Sequence, residues 1–202
     1  MFKLTDEFHD KHPEAREVLS EGNMNVLGTN IFESVPQAFS GEKDSEHSIK
    51  VVGRTNNSRT QRYINSSYIS EPDNLYKYKI FLPKAIGTGK FGEKFPESII
   101  EGKGVAHTQS FVSIGAFNTE EEAQNCWKYL KTKFARCMLH VLKSTQDATP
   151  SKWKYVPLQD FTSASDIDWS KSVAEIDQQL YAKYGLDEHE VEFIETKVKA
   201  ME

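Results

Sequence analysis

The sequence predicts an α+β fold: a mixed or antiparallel β-rich region over about 48–117, packed with a long helix over about 119–144 and two C-terminal helices. Three observations predict it. Segments 49–54, 62–69, 75–82 and 110–117 are rich in β-branched and aromatic residues and are separated by turn residues. At Asn118 the apolar period changes to three and four, the mark of an amphipathic helix. Near the C-terminus, Gly185 followed by Leu186 reads as a Schellman ending that separates two further helices.

Residues 1–47 form an acidic segment in which Gly, Asn, Ser and Pro recur at close intervals, predicting irregular structure with a short helix near 14–19 and a strand near 25–32. Residues 48–202 then form a second region, β-rich to 117 and helical from 118. Between its last two predicted strands lies a long loop, with Gly87, Gly89 and Gly92 at its start and Gly102 and Gly104 at its end. Loops of that length are commonly functional. Thr119 and Glu122 make a capping box, and Glu120, Glu121 and Glu122 complement the dipole of the helix that follows. Its apolar stripe is Ala123, Cys126, Trp127, Leu130, Phe134, Cys137, Met138, Val141 and Leu142, read as core packing. A strand-like segment covers 152–156, a second helix 171–184, and a last helix starts at the Asp187/Glu190 box and runs toward 200. No fixed-period repeat or low-complexity tract is present.

The 202 residues carry a net charge of −5, which excludes a polycation that coats nucleic acid through bulk charge. The charge is uneven: −6 over residues 1–49, +5 over 50–103 and −4 over 104–202. Any basic surface is therefore local and drawn from the middle third. No apolar run approaches the roughly 20 residues of a membrane span, and the first residues lack a signal-peptide pattern, so a cytoplasmic protein with no membrane partner is expected. Cys126 and Cys137 lie about 16 Å apart along one predicted helix, too far to bridge, and read as buried thiols.

Most catalytic signatures are absent. Gly87, Gly89 and Gly92 spell G-x-G-x-x-G, yet Phe95 and a proline follow where a helix would have to open. There is no G-K-[ST] phosphate loop, no zinc spacing and no nucleophile elbow. One constellation keeps an enzymatic alternative open. Pro72-Asp73 followed by Glu101-Gly102-Lys103 imitates the PD-(D/E)xK pattern, in which two carboxylates hold Mg²⁺ and a lysine helps form the attacking hydroxide. In that reading Asp73, Glu101 and Lys103 are catalytic; in the plainer one, Pro-Asp is a turn dipeptide.

The positive block looks more like a recognition surface. Lysines and arginines alternate there with Asn, Ser and Tyr, a mixture able to neutralise phosphates and reach base edges. The stretch GRTNNSRTQRYIN holds Arg54, Asn56, Asn57, Arg59 and Arg62, the better candidates for reading bases, since Arg pairs with guanine and Asn with adenine. The plain alternative is a solvated hairpin whose Asn-Asn is only its turn. On the long helix, Lys133, Arg136, His140 and Lys143 are spaced three, four and three, predicting one cationic edge.

Several blocks, taken in order, resemble a known family: YKIFLPKA (78–85), SFVSIGAF (110–117), YLKTKFAR (129–136), TQDAT (145–149), WKYVPLQDF (153–161), IDWS (167–170) and LYAKYGLDEHEVEFIE (180–195). They look like the C-terminal target-recognition region of bacterial type II restriction-modification adenine-specific DNA methylases, including fused methylase/endonuclease enzymes. The likeness covers 78–195 well and 48–77 loosely. It implies a sequence-specific DNA-binding domain whose partners are double-stranded DNA and a methylase/endonuclease module. The methylase cofactor loop and Asn-Pro-Pro-aromatic motif are missing here, so S-adenosylmethionine or Mg²⁺ is expected only in a partner or missing module. The resemblance and the charges together nominate Arg54, Asn56, Asn57, Arg59 and Arg62, with Lys84, Lys90, Lys94, Lys133 and Arg136 as phosphate contacts. Besides the Mg²⁺-dependent endonuclease, a non-catalytic assembly subunit that docks a methylase is the remaining alternative.

Overall fold

A computed structural model describes residues 2–70 and 73–202; Pro72 of the PD-(D/E)xK-like pattern lies outside them. The described chain is α+β, with seven α-helices and eight strands in three small sheets. In order these are β1 (Lys3–Leu4), α1 (Asp6–Lys11), α2 (Ala15–Val18), α3 (Ile31–Ser34), β2 (Ser48–Thr55) and β3 (Ser58–Asn65). Then come β4 (Ile69–Ser70), β5 (Tyr78–Pro83), β6 (Ile99–Glu101), β7 (Val105–His107) and β8 (Phe111–Phe117). The helices α4 (Glu120–Lys131), α5 (Lys133–His140), α6 (Val173–Tyr184) and α7 (Glu188–Lys197) follow. The sheets have the orders β1-β4, β3-β2-β7 and β6-β5-β8. Two compact units emerge, one from 1–81 and 101–116 and the other from 82–100 and 117–202.

In the first unit the acidic segment is built into the core. Thr5 caps α1 by accepting the Phe8 amide, which turns Phe8 inward, and Phe2, Leu4, Leu27, Ile31 and Phe32 are buried beside it. They share one apolar cluster with Ile49, Val51, Ile64 and Ala106 of the β3-β2-β7 sheet. Each such side chain contributes roughly 1.5–3 kcal/mol by leaving water. Gly53 is required there, because a Cβ would sit 2.5 Å from the Phe32 ring and 2.8 Å from Thr108. The strand expected over 25–32 does not form; Val26 makes only an isolated bridge to Lys3, and Ile31–Ser34 is α3. The short helix expected near 14–19 is α2.

In the second unit the expected long helix is two helices. The chain breaks at Thr132, which has an extended ψ of 150° and caps both sides: its N–H closes α4 on the Tyr129 carbonyl, and its hydroxyl accepts the Ala135 amide of α5. Asp177 of α6 completes the break by accepting the N–H groups of Lys133 and Phe134, both at 2.9 Å. The new N-terminus is thereby satisfied inside the core. Glu120 opens α4 under the Thr119 cap, and Gly185 ends α6 in the left-handed region at φ 63°. The Asp187/Glu190 box starts α7. The strand-like segment 152–156 has no neighbour to pair with; Pro150 opens a 3₁₀ turn there, and the Trp153 indole N–H donates to Ala148. Both cysteines are free and buried, and burial pushes both thiols up.

Burial pushes the Asp177 carboxyl from 3.8 up to about 6, against the pull of the Phe134 and Lys133 amides. The folded chain therefore holds a proton there that the unfolded chain holds only at lower pH, so this contribution is full below pH 3.8 and is lost as pH rises through 6. Asp177→Asn should remove that part of the profile and cost about 1–3 kcal/mol at neutral pH, since its amide N–H₂ takes the place of one of the two accepting oxygens and meets a backbone donor. Urea melts across pH 3.5–7 check this; parallel profiles for the two proteins refute it.

Candidate nucleic-acid interface

The best-defined functional feature is the hairpin of β2 and β3. Asn56 and Asn57 form its two-residue tip at φ 50° and 59°, and Thr55 pairs with Ser58 across it. Two consecutive positive φ values mark a type I′ turn, whose twist suits a tight hairpin, and asparagine tolerates that region better than most residues. The turn sets the register: Arg54 opposes Arg59, Val52 opposes Gln61 and Lys50 opposes Tyr63. Directly opposed residues share a face. One face thus runs from the asparagine tip through paired arginines to Gln61, Lys50 and Tyr63. The Arg54 guanidinium donates to the Asn57 side-chain oxygen at 3.1 Å, which aims it along the tip.

Arg62 does not join them. It opposes Val51 on the face that carries the core, where its guanidinium points toward Gly41. Of the five hairpin residues nominated from sequence, the structure brings together Arg54, Asn56, Asn57 and Arg59 and separates Arg62.

At the foot of the hairpin lies a groove of about 410 Å³. Lys50, Tyr63 and Ser66 from the hairpin line it, with Lys43, Tyr76 and Lys103 from neighbouring loops. The parallel pairing of β2 with β7, which sets Lys50 beside Val105, brings Lys103 to this place. Lys50 is held at 2.7 Å by Glu101, itself buried. Lys79, another cation of the positive block, is fully buried and donates to the carbonyls of Leu75, Lys77 and Gly102 at 3.2, 2.9 and 2.8 Å. Burial lowers its pKa to about 8, with Glu101 opposing the fall. It ties the 75–79 turn to the 102 turn and contacts no solvent.

The carboxylates of the nuclease alternative are differently placed. Asp73 stands in an exposed turn, Glu101 is committed to Lys50, and Lys103 is exposed on the groove. Among the described residues, no group of three His, Cys, Asp or Glu side chains converges as a metal site would require.

The second unit carries the remaining candidates. Lys84, Lys90 and Lys94 are exposed. Lys133 is half-buried and spends its ammonium on the carbonyl and carboxylate of Glu195. Arg136 corrects the sequence expectation outright: it is 0% exposed. Its guanidinium donates to the carbonyls of Lys131, Thr132, Glu93 and Lys199, clamping the loop and the C-terminal tail to α5. The predicted cationic edge fails with it, because His140 and Lys143 are buried too. The break at Thr132 turns this side of α5 inward.

The glycine-rich loop also has an internal occupant. The Glu93 carboxylate accepts the Thr88 and Gly89 amides at 2.8 and 2.7 Å, with Lys143 at 3.5 Å. A Cβ on Gly87 would lie 2.2 Å from that carboxylate, and Gly87 has φ 61°. These amides serve the protein's own acid, while Lys90, Lys94 and Glu97 of the loop are exposed.

Sequence reasoning missed the groove residues Lys43 and Tyr63 as a pair with Lys103, since only the pairing of β2 with both β3 and β7 assembles them. Among the described residues, no helix is long and apolar enough to cross a membrane. No family model, no curated protein and no solved structure matches the chain.

The arginine alignment depends on the tip. Asn57→Gly should leave stability equal or raise it by about 0.5–1 kcal/mol, whereas Asn57→Val should cost about 1–2 kcal/mol through its positive φ. Thermal melts with amide exchange on β3 test this, and equal stability of both variants would refute the turn assignment.

Proposed function

We propose that the chain is a sequence-specific DNA-binding domain of the target-recognition kind, acting beside a methylase or endonuclease module that supplies any chemistry. The observation that carries the reading is the β2–β3 hairpin: Arg54 and Arg59 face each other beneath an Asn-Asn tip, with Gln61 and Lys50 on the same face. The major groove of B-DNA admits a two-stranded ribbon. Arginine bonds two acceptors of guanine, and asparagine or glutamine bonds adenine in the same bidentate manner. The eight-residue strands span about 26 Å, enough to carry the tip into a groove while the base of the hairpin stays on the core.

In the first unit Arg54, Asn56, Asn57, Arg59 and Gln61 are the base readers; Lys84, Lys90 and Lys94, exposed on the second unit, are phosphate contacts of that unit by itself. Arg62, Lys133 and Arg136 serve the fold and drop out. The resemblance to methylase target-recognition regions supports the same assignment from the sequence side.

Fluorescence anisotropy on a pool of random duplexes, followed by selection of the tightest, tests the reading. Log affinity should fall linearly with log salt concentration. Arg54→Ala and Arg59→Ala should each cost about 1–3 kcal/mol on the selected duplex, or ten- to hundredfold, and relax its sequence preference. Arg62→Ala should leave binding within a factor of about three. Wild-type affinity in the Arg54→Ala/Arg59→Ala double variant, or an equal loss in Arg62→Ala, overturns the assignment.

A further inference from the structure

The groove at the foot of the hairpin has a chemistry of its own. Lys43 and Lys103 are exposed on it and make no ion pair or hydrogen bond among the described residues. Lys50 is different, since Glu101 fixes its ammonium in place. Glu46 is the one carboxylate that lines the groove. Against these charges stand two aromatic side chains, half-buried Tyr63 and Tyr76, the latter 45% exposed. Ser66 adds a hydroxyl. The space beside Gly104 is open, since a Cβ there would meet nothing within 4 Å.

A single small anion needs only the lysines and leaves most of the 410 Å³ unfilled. That volume lies in the range of small-molecule sites, about 300–1,000 Å³. Tyrosine faces stack on nucleobases whatever their sequence, while ammonium groups take phosphate as point charges. Cations and aromatic rings lining one groove match a phosphate joined to a flat heterocycle. We propose that this groove is a nucleotide-binding site, with the phosphate on Lys43 and Lys103 and the base against Tyr63 and Tyr76.

The nucleotide has two possible sources: a free nucleoside monophosphate acting as an effector, or one nucleotide of a strand displaced from its stack. Both present the same groups. The inference does not rest on duplex reading by the hairpin tip, whose arginines lie outside the groove lining.

Isothermal titration calorimetry of the full chain with dAMP, dTMP, deoxyadenosine, thymidine and inorganic phosphate tests it. Both monophosphates should bind at least tenfold more tightly than either nucleoside and than phosphate alone. Lys43→Gln with Lys103→Gln should weaken dAMP at least tenfold. Tyr76→Leu, at a position 45% exposed, should weaken dAMP about tenfold and leave phosphate unchanged. Arg54→Ala/Arg59→Ala should leave dAMP binding as it was, so loss of duplex affinity in that variant and loss of nucleotide affinity in the lysine variant report separate sites. A duplex with one bulged nucleotide distinguishes the sources: tighter binding than the paired duplex, abolished by Tyr76→Leu, assigns a strand nucleotide, and equal binding beside a tight dAMP site assigns the free effector. The proposal is overturned if dAMP binds no more tightly than phosphate, or if the lysine variant binds dAMP as wild type does.

Discussion

The two-residue turn at Asn56–Asn57 is the constraint on which the recognition surface depends. A β-strand alternates its side chains with a period of two, so one residue of slippage would send Arg59 and Gln61 to the core face and Ile64 to the other. Ile64 opposite Ile49 and the close approach of Phe32 to Gly53 hold the register from the core side. The left-handed asparagines hold it from the other end. Between these two anchors the facing of Arg54 and Arg59 is dictated.

The cations of the chain divide into those that build and those that face outward. Lys79 and Arg136 belong to the first kind, each surrounded by backbone carbonyls. A buried ammonium or guanidinium without such acceptors would be strongly unfavourable, whereas carbonyl dipoles satisfy its donors without a bulky acidic partner. Each also ties separate loop and helix ends together, and two of the carbonyls they collect, those of Leu75 and Thr132, accept a backbone N–H as well, from Gly104 and Arg136. A count of lysines and arginines therefore overstates the recognition surface.

Much of this was legible in the sequence and some of what was missed was legible too. Helix starts at Thr119 and Asp187 and the end at Gly185 follow from short-range capping, in which donor and acceptor sit within a few residues. The hairpin follows from Asn-Asn between β-rich runs. The exclusion of Arg62 was also written there: three residues separate it from Arg59, and an odd spacing places two strand residues on opposite faces. The break at Thr132 was not legible, because its second half is Asp177, brought from 44 residues away to cap Lys133. A threonine inside a regular apolar stripe carries no local sign of a break. The groove was hidden for the same reason, since Lys43, Lys50 and Lys103 meet only through a parallel strand pairing.

Burial also separates which acids can take part in recognition or chemistry. Glu93 and Asp177 each accept two backbone amides, from Thr88 and Gly89 in one case and from Lys133 and Phe134 in the other. A carboxylate so used substitutes for the anion that a loop nest or helix start would otherwise attract from solution. The glycine-rich loop, whose spacing imitates a phosphate cradle, is thus closed to phosphate by its own glutamate, and the N-terminus of α5 is closed by an aspartate. In the first unit, side-chain charge stands open to an external anion at the hairpin tip and at its foot. There the protein offers ammonium and guanidinium groups beside amide, hydroxyl and aromatic side chains. That composition discriminates among nucleic-acid groups in a way that a ring of backbone amides, alike for any anion, does not.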